Sequence, residues 1–97
     1  MLAAVLAVSG VQGIVLRGPT KPTCSMTEPC DEPARGLELS FVRSGHVVAR
    51  VRVDARGHYR VLLAPGRYVV RGAQPSALVV RRGVVARRDL FVDTGIR

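Results

Sequence analysis

The chain contains no tryptophan, no asparagine, a single lysine (Lys21) and two cysteines. Aromatic residues make up only 4% of it: Phe41, Tyr59, Tyr68 and Phe91. A core must therefore be built from aliphatic side chains. No apolar run approaches the ~20 residues that a membrane-spanning helix needs, so no transmembrane span is expected. The two histidines, His46 and His58, lie outside the His-x₃₋₅-His spacing of a zinc pair and read as solvent-facing residues beside turns. Gly-x-Ser-x-Gly elbows and glycine-rich phosphate loops are missing. The acids are Glu28, Asp31, Glu32, Glu38, Asp54, Asp89 and Asp93, and their spacing matches no calcium loop. These shortages argue against an enzyme, a metal site or a bound cofactor.

What is present is length for one domain, valine and arginine. At 97 residues a single thin core is feasible. Valine dominates the apolar residues and suits a pleated surface. The formal charge is +8, and fourteen of the fifteen basic residues are arginine. That skew fits a compositional bias that leaves a soluble arginine-rich surface. It also fits contact with an anionic polymer or surface.

The first residues, Met1 to Val8, are continuously apolar and too short to cross a bilayer. They match the apolar stretch of a secretory signal, with Ala7-Val-Ser9 as a small-x-small cleavage pattern before Gly10. Residues 1–9 are accordingly expected to be the remnant of a signal. The missing basic start points to an upstream start codon; the alternative is an apolar strand. Cys24 and Cys30 sit in a Pro-rich loop over 18–36, with five residues between them. That is neither a redox Cys-x-x-Cys nor a zinc knuckle. An even cysteine count in a short chain suggests a disulfide, worth about 2–2.5 kcal/mol for so short a loop, and an oxidising compartment.

Residues 10–97 are expected to form the domain. Gly10–Leu16 reads as a first strand. Beyond the loop, Leu37–Arg43 alternates, with Leu37, Leu39 and Phe41 on one face. Ser44-Gly45 is a turn, and His46–Val53 follows with Val47, Ala49, Val51 and Val53 inward and Arg50 and Arg52 outward. Asp54-Ala-Arg-Gly57 is a second turn. His58–Leu63 then places Tyr59, Val61 and Leu63 inward. A Pro65-Gly66 break precedes Arg67–Arg71, with Tyr68 and Val70 inward. Ala77–Val80 and Val84–Val92 complete about seven strands, an all-β pattern of a single antiparallel sandwich.

The stretch Val51 to Val70, with its Asp-x-x-Gly turn, aromatic-bearing strand, Pro-Gly corner and Tyr-bearing strand, resembles the signature of carboxypeptidase-regulatory-like and Cna B-type domains. The glycine-flanked first strand, the Gly18-Pro-Thr20 and two-cysteine loop, and the closing Asp93-Thr-Gly-Ile-Arg97 are similar to small bacterial exported proteins of that kind. The resemblance implies a transthyretin-like, prealbumin-like Greek-key sandwich whose Pro-Gly corner carries the chain between sheets. It implies an accessory, stalk or adhesive role without catalytic residues. The Lys–Asn crosslink of some stalk domains has no counterpart here, for want of any asparagine.

The expected function is a non-catalytic structural or interaction module, secreted or in the cell envelope, monomeric, with an unidentified protein or envelope polymer as partner. The alternative is an anion-binding module for wall polymer, lipid headgroups or nucleic acid. If 46–53 and 58–63 form a hairpin, Arg50, Arg52 and Arg60 lie together on one exposed sheet and could hold the anion. Arg81, Arg82, Arg87 and Arg88 make a second cluster near Gly83. Nucleic acid is disfavoured, because Tyr59 and Tyr68 have core parity and cannot stack on bases.

Overall fold

Alternation of buried and exposed side chains runs through nearly every strand of the computed structural model, which describes residues 8–20 and 30–95. Among these are nine strands and no helix. They are β1 (Gly10–Gly18), β2 (Glu32–Pro33), β3 (Glu38–Arg43), β4 (His46–Arg52), β5 (His58–Leu62), β6 (Gly66–Arg71), β7 (Ala77–Val80), β8 (Val85–Arg87) and β9 (Leu90–Asp93). The seven expected strands are all there. The count rises to nine because the last one is split at Arg88–Asp89 and because Glu32–Pro33 adds a short strand inside the Pro-rich loop. Proline is tolerated in that strand because it lies at a sheet edge, paired with β1 alone.

The strands form the two sheets of an all-β sandwich. In the first, β1 is central. One of its edges pairs antiparallel with β5 and then β2. The other runs parallel to β8 and then β9. The sandwich is thus antiparallel except along this seam. Parallel neighbours require a long crossover, and here the entire second sheet intervenes. That sheet is antiparallel throughout, in the order β4-β3-β6-β7.

Two expectations of detail need correction. Residues 46–53 and 58–63 do not form a hairpin. The Asp54–Gly57 turn carries the chain from the edge of one sheet to the edge of the other, so β5 pairs with β1 instead of β4. A turn that serves a hairpin serves an arch equally well; the partner is set by distant residues. Here Tyr59 lies opposite Gly13, a ring beside a residue with no side chain. The second correction concerns Val47. Phe41 pairs with Ala49 but Val42 pairs with Val47, so Val48 is an inserted bulge residue. Ala49, Val51 and Val53 stay on the inner side, while Val47 turns outward and is 37% exposed.

The corner after β5 passes the chain into the second sheet, as the Pro-Gly pattern implies. The Tyr68 hydroxyl donates to the Ala64 carbonyl at 2.5 Å. The Arg43 guanidinium covers the Tyr68 ring at 5.6 Å and donates to the Pro65 carbonyl. Removing the hydroxyl with Tyr68→Phe is expected to cost about 1–2 kcal/mol in urea unfolding, by leaving that corner carbonyl short of a donor.

The core is aliphatic, as composition requires. Val11, Val15, Leu39, Phe41 and Val53 are its largest fully buried side chains. Phe41 of one sheet and Tyr59 of the other stack with centroids 6.4 Å apart. Ser9 belongs to the folded part: its hydroxyl accepts from the Gly83 N–H and its carbonyl from the Leu63 N–H.

Candidate anion-binding cleft

Because Val11 and Val15 point inward and are completely buried, alternation turns Gln12 outward. Gln12 pairs with Arg60 of β5 on one side and with Arg87 of β8 on the other. Arg60, Gln12 and Arg87 therefore form one row across three strands of the first sheet. They line a cleft of about 550 Å³, to which β4 contributes Arg52, the turn after it Asp54 and the start of β5 His58. Three edge strands, β4 of the second sheet and β5 and β8 of the first, thus bring three guanidinium groups to one opening.

The local cause of the row is the break between β8 and β9. The Arg88 N–H donates to the Gln12 carbonyl at 2.8 Å, and the Asp89 carboxylate accepts from the Ile14 N–H at 3.0 Å. An aspartate side chain here replaces a strand carbonyl. The Tyr59 hydroxyl donates to the Arg88 carbonyl at 2.6 Å and pins the break from beneath. Gly13 leaves the space: a Cβ there would collide with the Arg88 carbonyl and stand 2.8 Å from Asp89 Oδ1.

Charge in the cleft is only partly compensated. Arg87 pairs with Asp89 at 3.2 Å. Arg52 donates to the Gly36 carbonyl at 2.9 Å and lies 3.8 Å from Glu38. Asp54 is occupied by its own turn, accepting from the N–H groups of Arg56 and His58 at 2.9 and 2.8 Å. These donors, the His58 N–H foremost, hold its carboxyl below the usual aspartate range. The Ile14 N–H, with Arg87 second, does the same for Asp89. Arg60 has no hydrogen-bonded or ion-paired partner among the described residues, and is the cation left available.

Both aspartates have folded pKa values depressed below 3.8. Their stabilisation is complete above that value and is lost as pH falls through the folded values. Asp54→Asn and Asp89→Asn are each expected to lower thermal stability in the neutral range and to flatten the acid dependence below pH 3.8, so that variant and parent converge in acid. Tyr59 behaves oppositely. Burial, with Asp89 second, pushes its phenol from 10.0 to about 12. Its contribution is intact below pH 10 and disappears as pH rises towards 12; in Tyr59→Phe that share of the alkaline dependence should be gone.

Of the three arginines expected to cluster, Arg52 and Arg60 meet at the cleft. Arg50 does not: it lies on the second sheet, 3.6 Å from Glu38. Arg87 and Gln12 were not singled out together, because only the parallel seam between the chain's two ends joins them. Arg87 leaves its expected cluster around Gly83 for the same reason. His46 and His58 are exposed, and the described residues hold no group of three or more His, Cys, Asp or Glu able to hold a metal. None of the described cysteines is free, which concerns Cys30; Cys24 lies outside the described residues, as do Glu28 and most of the apolar start. No helix there is long and apolar enough to cross a membrane.

No family model matches the chain, and neither a curated protein nor a solved structure matches it. Its class rests on its own geometry: a β-sandwich with a cationic cleft where edge strands of the two sheets meet.

Proposed function

We propose that this chain is a non-catalytic interaction module of an exported protein, and that its cleft holds a phosphate- or carboxylate-bearing envelope polymer on Arg52, Arg60 and Arg87. The carrying observation is Arg60, a cation without a partner among the described residues, in a row with a second arginine and a glutamine donor. Guanidinium groups are suited to planar oxyanions, which they engage through paired N–H donors. The resemblance of Val51 to Val70 to carboxypeptidase-regulatory-like and Cna B-type domains supports the same accessory role.

Polyphosphate serves as the probe, titrated by calorimetry at low ionic strength. Binding is expected, weakening as salt rises. Arg60→Ala should lower affinity about tenfold, the scale of one charge-assisted hydrogen bond, while Arg50→Ala should change it little. Absence of binding at low salt, or equal losses at Arg50 and Arg60, would overturn the reading.

Export is supported by the cysteines. Cys24 is the sole candidate in the chain for pairing with Cys30, which is not a free thiol. Protein taken from its native compartment should show no reactive thiol on titration; two would count against a Cys24–Cys30 disulfide and against export.

A further inference from the structure

The outer face of the second sheet carries an arrangement unrelated to the cleft. Val47 pairs with Val42, Val42 with Val69, and Val69 with Ala77, so four apolar residues form one row across all four strands. Val79 extends the row beside Arg67, its partner. Val47, Val69 and Val79 are 37%, 50% and 49% exposed, while Val42 at the centre is only 5% exposed. A row of Arg50, Ser40 and Arg71 flanks the valines on one side, and Arg67 stands on the other. Of the residues in these four strands, only Glu38 is acidic, and it is engaged by Arg50 and Arg52.

We propose that this face docks on an anionic lipid surface, the valine row entering the boundary between headgroups and acyl chains and Arg50, Arg67 and Arg71 contacting lipid phosphates. Charge selects the occupant. A second copy would set arginine rims against each other on chains of charge +8. Single-stranded nucleic acid would want aromatic stacking platforms, and this face has none. An occupant that is flat, anionic at its surface and apolar just beneath matches a short valine row with Arg50 and Arg71 on one side and Arg67 on the other. The Val48 bulge is what completes it, by turning Val47 outward.

The test is co-sedimentation of the whole chain with vesicles, either phosphatidylcholine alone or phosphatidylcholine mixed with phosphatidylglycerol. Binding is expected to the mixed vesicles and not to the neutral ones. The double variant Val69→Ser/Val79→Ser, and separately Arg67→Glu/Arg71→Glu, should each lower partitioning about tenfold or more, with thermal unfolding confirming that each is folded. Arg60→Ala should bind vesicles as the parent does, which separates this face from the cleft. Unchanged partitioning in the valine variant would overturn the proposal, reducing the contact to surface charge. Binding of soluble polyglutamate on this face without binding to mixed vesicles would overturn it in favour of an acidic protein partner.

Discussion

Gly13→Val is expected to destabilise the chain by about 3 kcal/mol and to disable the cleft at the same time. The added Cβ has nowhere to go, since what it meets is the backbone carbonyl of Arg88, with Asp89 Oδ1 close behind. Backbone cannot rotate aside as a flexible side chain can, and overpacking of this kind typically costs 1–3 kcal/mol, occasionally more. Displacing Arg88 and Asp89 would also separate the Tyr59 hydroxyl from its acceptor and the Ile14 N–H from Asp89. The parallel seam would open where Gln12 meets Arg87. Urea unfolding should show the lost stability as a lower midpoint. Polyphosphate affinity should fall even under conditions where the variant is still folded. A neutral effect on both would mean that Arg88 and Asp89 are not held against β1 as described.

Phe41→Ala should be at least as costly, about 3–5 kcal/mol for a large buried side chain replaced by a cavity. Phe41 is completely buried and faces the Tyr59 ring across the sandwich. The neighbouring Tyr59 ring is tethered through its hydroxyl to the Arg88 carbonyl and does not move in to fill the space. A small domain has only about 5–15 kcal/mol in total, so this single change takes a large share of it. Val79→Ala, on the exposed face, is the control and should move the urea midpoint little, within about 0.5 kcal/mol. Comparable losses at the two positions would contradict the placement of the core.

Much of this fold is legible in the sequence, for reasons particular residues make plain. Val11, Leu39, Tyr68 and Val70 have the parity of half-buried strands, and Asp54, Gly57 and Gly66 stand where the chain turns. Simple alternation places Val47 inward in β4, and the structure does not, because an inserted residue shifts the alternation without leaving a signature in composition. The cleft was legible only in part. Alternation turns Arg52 and Arg60 outward, but the Asp54–Gly57 turn reads as a hairpin where the chain arches between sheets. Arg87 reaches the row through pairing between the two ends of the chain, a non-local contact that no local pattern encodes.

The central claim is that anions are gathered by the row of Arg60, Gln12 and Arg87 and not by arginine in general. The most direct measurement is a backbone amide NMR titration of the whole chain with polyphosphate at moderate salt. The largest shifts are expected on Gln12, Gly13, His58 to Arg60 and Arg87, and Arg60→Ala should remove them. Shifts spread evenly over Arg35, Arg56, Arg81 and Arg82 as well, and persisting in Arg60→Ala, would contradict that claim.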